Sequence, residues 1–214
     1  MTARVSAVYH ASGSDPIEAA PAQVGPPPHQ PLRRTRKSSG LGGTDPNAAV
    51  VTAGRLWEGD ALNVIRRKWK RTLVVKGIMN HEDARKVRDM GADGLIVSNH
   101  GGRQLDGAVS PLRLLPEVVQ AVGADFPVMM DSGIRRGTDV LKALALGAKF
   151  VFVGRPFNYA AAIAGEEGVR HAIRILADEV QRDLGLLGLM SISEVKGAQL
   201  RELPCRSHPT HLQT

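Results

Sequence analysis

Between residues 72 and 155 the chain alternates short, strongly apolar runs with longer segments of helical period. "TLVVKGI" is a β-branched run, and "NHEDARKVRDMG" after it is helical and ends on Gly91. "DGLIVSN" leads through a glycine-rich loop into "LRLLPEVVQAVG", and "PVMMDSG" leads into "RGTDVLKALALG". "KFVFVGR" is a fourth apolar run, after which Val169, Ala172, Ile173, Leu176, Val180, Leu184 and Leu187 trace one face of a long amphipathic helix. The pattern predicts four strands, near 72–77, 94–98, 127–131 and 150–153, each too apolar to face water on either side. Strands buried on both faces and separated by helices are those of a parallel α/β sheet built from βα units.

Residues 1–54 lack this rhythm. "VGPPPHQPLRRTRKSSGLGGTDP" concentrates proline, glycine, serine and basic residues, a composition that buries too little apolar surface to offset the entropy of ordering. The expected division is a disordered or loosely attached segment over 1–54, an α/β unit over 55–198 and a tail over 199–214. In "LWEGDALNVIRRKWK", Leu56, Trp57, Leu62, Ile65 and Trp69 fall close to helical spacing, and the basic groups read as a solvated helix face.

Composition changes this picture little. Aromatic residues are only 4% of the chain, so the core is aliphatic. The one cysteine, Cys205, excludes an intrachain disulfide and a cysteine-built zinc site, and it fits a reducing, cytoplasmic setting. No run approaches the roughly 18 apolar residues of a membrane span, and no secretory or transit signal is expected at the start. Of the net charge of +7, six units lie in the first 71 residues. The basicity therefore lies ahead of the stretch that carries the motifs, and no specific nucleic-acid partner or membrane association is expected.

Polar residues gather where the strands end: Lys76, then Ser98 and His100, then Asp131, then Gly154 and Arg155. In parallel α/β folds that rim is where ligands bind, and in eightfold barrels the last two strand-to-helix loops often hold phosphate. In "DSGIRRGTDVLKALALGAKFVFVGR", Gly133 and Gly137 permit close approach of backbone to an anion, and Arg135 and Arg155 supply charge-assisted donors. His100 is followed by two glycines that keep the space before it open. A neutral imidazole there can take a proton while the Arg103 fork holds a carboxylate in register. Lys76 in an apolar strand calls for an anion to face.

The motifs "LVVKGI", "GADGLIVSNHGGRQLDGA", "DSGIRRGTDVLKALALGA", "VFVGRPF" and "SISEV" occur in order between Leu73 and Val195. This block resembles the C-terminal half of the FMN-dependent α-hydroxy-acid dehydrogenase and oxidase family, which includes L-lactate dehydrogenases, mandelate dehydrogenases and glycolate oxidases. The "NHGGRQLD" form is closest to the lactate and mandelate dehydrogenase branch. The resemblance implies a TIM (β/α)8 barrel, of which only about the last four βα units are present here. It implies FMN as cofactor and a small L-2-hydroxy acid, lactate-like, as substrate. His100 would be the catalytic base and Arg103 the substrate-carboxylate clamp. Lys76 would lie near the flavin N1–C2 edge, and Ser98 would touch the flavin ring. Asp131, Ser132, Gly133, Ile134 and Arg135, with Gly154 and Arg155, would hold the ribityl chain and phosphate.

The family's first-half motifs are missing from residues 1–55, among them the aspartate that orients the catalytic histidine. The chain thus reads as a half-barrel, with a complementary half or a homo-oligomer as its expected partner. Two alternatives stand beside the dehydrogenase reading: a catalytically silent half-barrel that retains a phosphate- or FMN-binding rim, and a basic nucleic-acid or membrane-surface module built on "RRKWKR" and "RRTRK".

Overall fold

The computed structural model describes residues 48–52 and 61–201. Five parallel strands form one sheet in sequential order: β1 (Ala48–Thr52), β2 (Thr72–Ile78), β3 (Gly94–Val97), β4 (Val128–Met130) and β5 (Phe150–Val151). Helices α2 (His81–Asp89), α3 (Pro111–Val122) and α4 (Gly137–Ala145) fill the successive crossovers. Helix α1 (Ala61–Lys68) precedes β2, and α5 (Arg155–Leu186) follows β5. Right-handed crossovers in a sequential sheet put every helix on the same side, which is the construction of a section of a (β/α)8 barrel.

The four expected strands are all present, and their ladders run slightly past the formal strand ends, since Asp131 N–H donates to the Val97 carbonyl and Phe152 N–H to the Met130 carbonyl. The unexpected element is β1. It pairs in parallel with β2 from Ala48 opposite Thr72 to Thr52 opposite Lys76. Part of the segment expected to be disordered therefore supplies a fifth strand. "AAVVT" is short, and its sequence neighbours are so poor in apolar residues that periodicity conceals it. The rest of that segment lies outside the described residues, as do residues 202–214 of the expected tail.

Strand alternation sorts side chains onto two faces. Leu73, Val75, Leu95, Val97, Val128, Met130 and Val151 face the helices and join Val87, Leu115, Val118, Val140 and Leu176 in one aliphatic core. The opposite face carries Val74, Lys76, Ile96 and Phe152. A bulge in β2, where Gly77 has φ +96°, shifts the register between Lys76 and Ile78. Ile78 thereby returns to the helix side, 1% exposed, although Lys76 two residues earlier faces the other side.

The amphipathic helix begins earlier than its stripe suggested, at Arg155, and it is interrupted at Ala164 and Gly165, whose φ/ψ of −145°/28° and 53°/−135° are not helical. Glycine at 165 supplies the positive φ that this break requires.

Gly137 has a role other than the anion approach expected of it. A Cβ there would stand 2.6 Å from the Val180 backbone nitrogen and 2.7 Å from Glu179 Cβ. Its own N–H donates to Glu179 Oε2 at 2.8 Å, and Arg136 Nε pairs with Glu179 Oε1 at 2.7 Å. This glycine lets α4 dock against α5. Gly137→Ala is accordingly expected to destabilise the fold by about 1–3 kcal/mol, the range for overpacking against backbone. Chemical denaturation checks this, and an unchanged midpoint would remove the close approach as the reason for glycine.

Candidate active site

The rim is built from the loops that follow β2, β3, β4 and β5. Lys76 and Asp131, on β2 and just after β4, form an ion pair of 2.7 Å between Nζ and Oδ2, with 14% and 19% of their side chains exposed. Lys76 Nζ also donates to Ser98 Oγ at 2.8 Å, and Ser98 is 2% exposed. Asp131 Oδ1 accepts from Ser132 Oγ at 2.7 Å. The lysine that sequence alone left in search of an anion has one within the protein.

After β3 the chain turns through three consecutive residues of positive φ: His100 at 56°, Gly101 at 69° and Gly102 at 69°. Two are glycines, for which this region is unstrained, but His100 holds it against the clash of its own Cβ. Hydrogen bonds fix the turn. His100 N–H donates to Ser98 Oγ at 3.1 Å, Gly101 N–H to Ser132 Oγ at 3.0 Å, and Gly102 N–H to Asn99 Oδ1 at 3.2 Å. Asn99 Nδ2 reaches across the loop to the Val109 carbonyl at 3.3 Å.

The two anion loops meet this turn. Gly133, at φ +82°, and Gly154 both have open space where a Cβ would stand. Arg135 and Arg155 are exposed beside them, and the Arg155 guanidinium donates to the Gly101 carbonyl. Asp139 in the first turn of α4 accepts from the Arg135 and Arg136 N–H groups at 3.0 and 3.1 Å, so these two amides serve the helix start. Open glycine backbone flanked by two guanidinium groups suits a phosphate monoester.

One cavity collects nearly all the expected site residues. Lys76, His100, Arg103, Asp131, Ser132, Gly133, Ile134, Arg135, Gly154 and Arg155 line it. Ser98 lies beneath, joined to it through Lys76. Ile134 contributes little but backbone, because its side chain is 4% exposed and packed in the core. Sequence reading missed Val50, Phe152 and Asn158 in the lining. Alternation along "KFVFVGR" places Phe152 on the face opposite Val151, whereas no signal marked Val50. Among the described residues no cluster of histidine, cysteine and carboxylates is arranged to hold a metal, and no helix is long and apolar enough to cross a membrane.

Residues 19–202 match the model of the FMN-dependent dehydrogenase family. The chain is 46% identical over 145 residues to an FMN-dependent alpha-hydroxy acid dehydrogenase of Schizosaccharomyces pombe, covering 68% of this chain and 36% of that protein. It is 48% identical to an L-lactate dehydrogenase of Azorhizobium caulinodans, over 67% of this chain and 38% of the relative. A 4-hydroxymandelate oxidase of Amycolatopsis orientalis is 45% identical over 75% of this chain and 44% of its own length. Among solved structures, (S)-mandelate dehydrogenase superposes with a TM-score of 0.64 at 44% identity, over 66% of this chain and 40% of that one. A mandelate oxidase structure gives 0.61 at 48% identity, over 64% of this chain and 41% of the other. The chain thus spans about two fifths of the length of these relatives.

The largely buried Lys76–Asp131 pair makes a prediction of its own. Lys76→Met leaves the half-buried Asp131 carboxylate without its cation and is expected to cost about 1–3 kcal/mol, less than a fully buried pair because both groups keep some solvent. Lys76→Met combined with Asp131→Asn removes the stranded charge and is expected to recover part of that loss, giving a coupling energy of about 1 kcal/mol or more. Strict additivity of the two substitutions in denaturant titrations would show that the groups do not depend on each other.

Proposed function

The chain belongs to the FMN-dependent dehydrogenase family, and from that premise we propose that its rim serves the FMN-dependent oxidation of a small L-2-hydroxy acid to the 2-oxo acid. The observation that carries this is the single cavity joining His100 and Arg103 to an open, cationic anion loop.

In this reading Gly133, Arg135, Gly154 and Arg155 would hold the phosphate of FMN, and Asp131 with the backbone to Ile134 would hold its ribityl chain. The donor set fits the group, since it offers glycine backbone without side-chain obstruction and two fixed positive charges. Lys76, held at the cavity by Asp131 and Ser98, would offer a bound cofactor a cation for negative charge gained in the reaction. When bound, FMN supplies the two-electron acceptor for the oxidation. Arg103 holds the substrate carboxylate through its planar fork, and the His100 imidazole takes a proton from the 2-hydroxy acid. Lactate-like and mandelate-like acids are the substrate class. The named lactate dehydrogenase and the mandelate enzymes share this stretch of chain at 44–48% identity.

A second reading is favoured by the edges of the sheet and the outer face of α5. Among the described residues neither the outer edge of β1 nor that of β5 has a strand partner. Beside β5, α5 leaves Tyr159 65% and Ile163 85% exposed. Unpaired parallel edges and bare apolar side chains favour a partner, either a complementary half-barrel or further copies of the chain. On that reading the rim binds FMN, but catalysis waits for the groups a partner supplies.

Anaerobic bleaching of bound flavin by 2-hydroxy acids tests both readings. Little bleaching is expected of the purified chain alone, with a marked rise when a fragment carrying the family's first half is added. His100→Gln is expected to abolish that bleaching while leaving FMN bound, because the imidazole serves the substrate and not the phosphate. Arg103→Lys is expected to raise KM and lower kcat together. Bleaching that survives His100→Gln would remove His100 as the base, and rapid bleaching by the chain alone would remove the need for a partner.

A further inference from the structure

Among the described residues only two that are not glycine have positive φ: His100 at 56° and Ser132 at 73°. They sit on different loops, and the Gly101 N–H to Ser132 Oγ hydrogen bond of 3.0 Å joins those loops. Non-glycine residues persist in this region where the surroundings hold them there. At Ser132 glycine would adopt the same backbone without strain, so the hydroxyl needs a reason.

The hydrogen bonds around His100 provide one. Its φ is set by the peptide unit that carries its own N–H, and that N–H is held by Ser98 Oγ. Its ψ is set by the next peptide unit, whose N–H is that of Gly101 and is held by Ser132 Oγ. Two serine hydroxyls from neighbouring strand ends thus pin the two peptide planes on either side of one histidine. Each hydroxyl is oriented in turn by one end of the same ion pair. Lys76 donates to Ser98 Oγ, and Asp131 accepts the proton of Ser132 Oγ. A hydroxyl has one donor, and that of Ser132 is committed to Asp131, which turns a lone pair toward Gly101.

We propose that Ser132, together with Ser98, is a positioning residue for His100: the two hydroxyls fix the backbone angles from which the imidazole projects, and the Lys76–Asp131 pair orients both. This rests on the reading of His100 as the base at a phosphate-binding rim. It gives the Ser132 side chain a task apart from contact with a cofactor.

The test compares the full chain with its Ser132→Ala and Ser132→Gly variants by amide hydrogen exchange and NMR, with inorganic phosphate as the probe of the rim. Both variants are expected to speed exchange at the Gly101 amide roughly tenfold, the effect of one lost hydrogen bond. Both are expected to move the His100 ring resonances while those of His81 and His171 stay in place. Ser132→Gly is expected to be at least as stable as Ser132→Ala, because it sheds the positive-φ strain. Phosphate is expected to bind the unsubstituted protein. Unchanged Gly101 exchange in both variants would overturn the proposal, and so would faster exchange with unmoved His100 resonances; either leaves the phosphate reading intact. Failure of the unsubstituted chain to bind phosphate would instead overturn the rim reading, and the proposal with it.

Discussion

A lysine and an aspartate from different strand ends meet at 2.7 Å, both mostly shielded from water, and the geometry of the rim depends on that contact. Moving either charge into an apolar sheet alone would be costly, and together they compensate each other. Each partner then has hydrogen-bonding capacity to spare. Lys76 uses it on Ser98 after β3, and Asp131 uses it on Ser132 after β4. One ion pair therefore ties the ends of three strands into a network that reaches the His100 turn from both sides. The Gly77 bulge belongs to the same construction. It lets β2 present Lys76 to the cavity and still return Ile78 to the core.

The rim is assembled by consecutive βα units, each giving its residues to the loop after its own strand. A contiguous section of such a fold can therefore hold a large part of a site, even though the chain spans about two fifths of its relatives' length. Arg155 contacts Gly101 across the mouth of the cavity, and the Phe150 and Phe152 rings lie tilted at 55° with centroids 4.9 Å apart at the end of β5. Among the described residues the outer edges of β1 and β5 have no strand partner, and Ile163 stands 85% exposed.

Much of this was legible in the residues. Strongly apolar runs separated by helical segments predicted β2 to β5, because strands covered on both faces leave little choice of composition. The rim residues were legible as polar interruptions at strand ends. What escaped has identifiable causes. Strand β1 is five residues long within a proline- and glycine-rich region, and its place comes from pairing with β2, a long-range contact that local periodicity does not carry. Gly137 looked like part of the anion loop because a glycine needed against a ligand and one needed against a helix are identical in sequence. The pairing of Lys76 with Asp131 joins residues 55 positions apart, and only the register of adjacent strands reveals it.

The proposed function turns on a phosphate-binding rim joined to His100 in one cavity. The most direct measurement compares the affinities of the purified chain for FMN and for riboflavin, which differ only in the phosphate. FMN is expected to bind more tightly by roughly 1.5–3 kcal/mol, the range for hydrogen bonds to a charged group, and Arg155→Ala is expected to remove most of the difference. Equal affinity for the two flavins, or a preference for FMN that Arg155→Ala leaves intact, would contradict it.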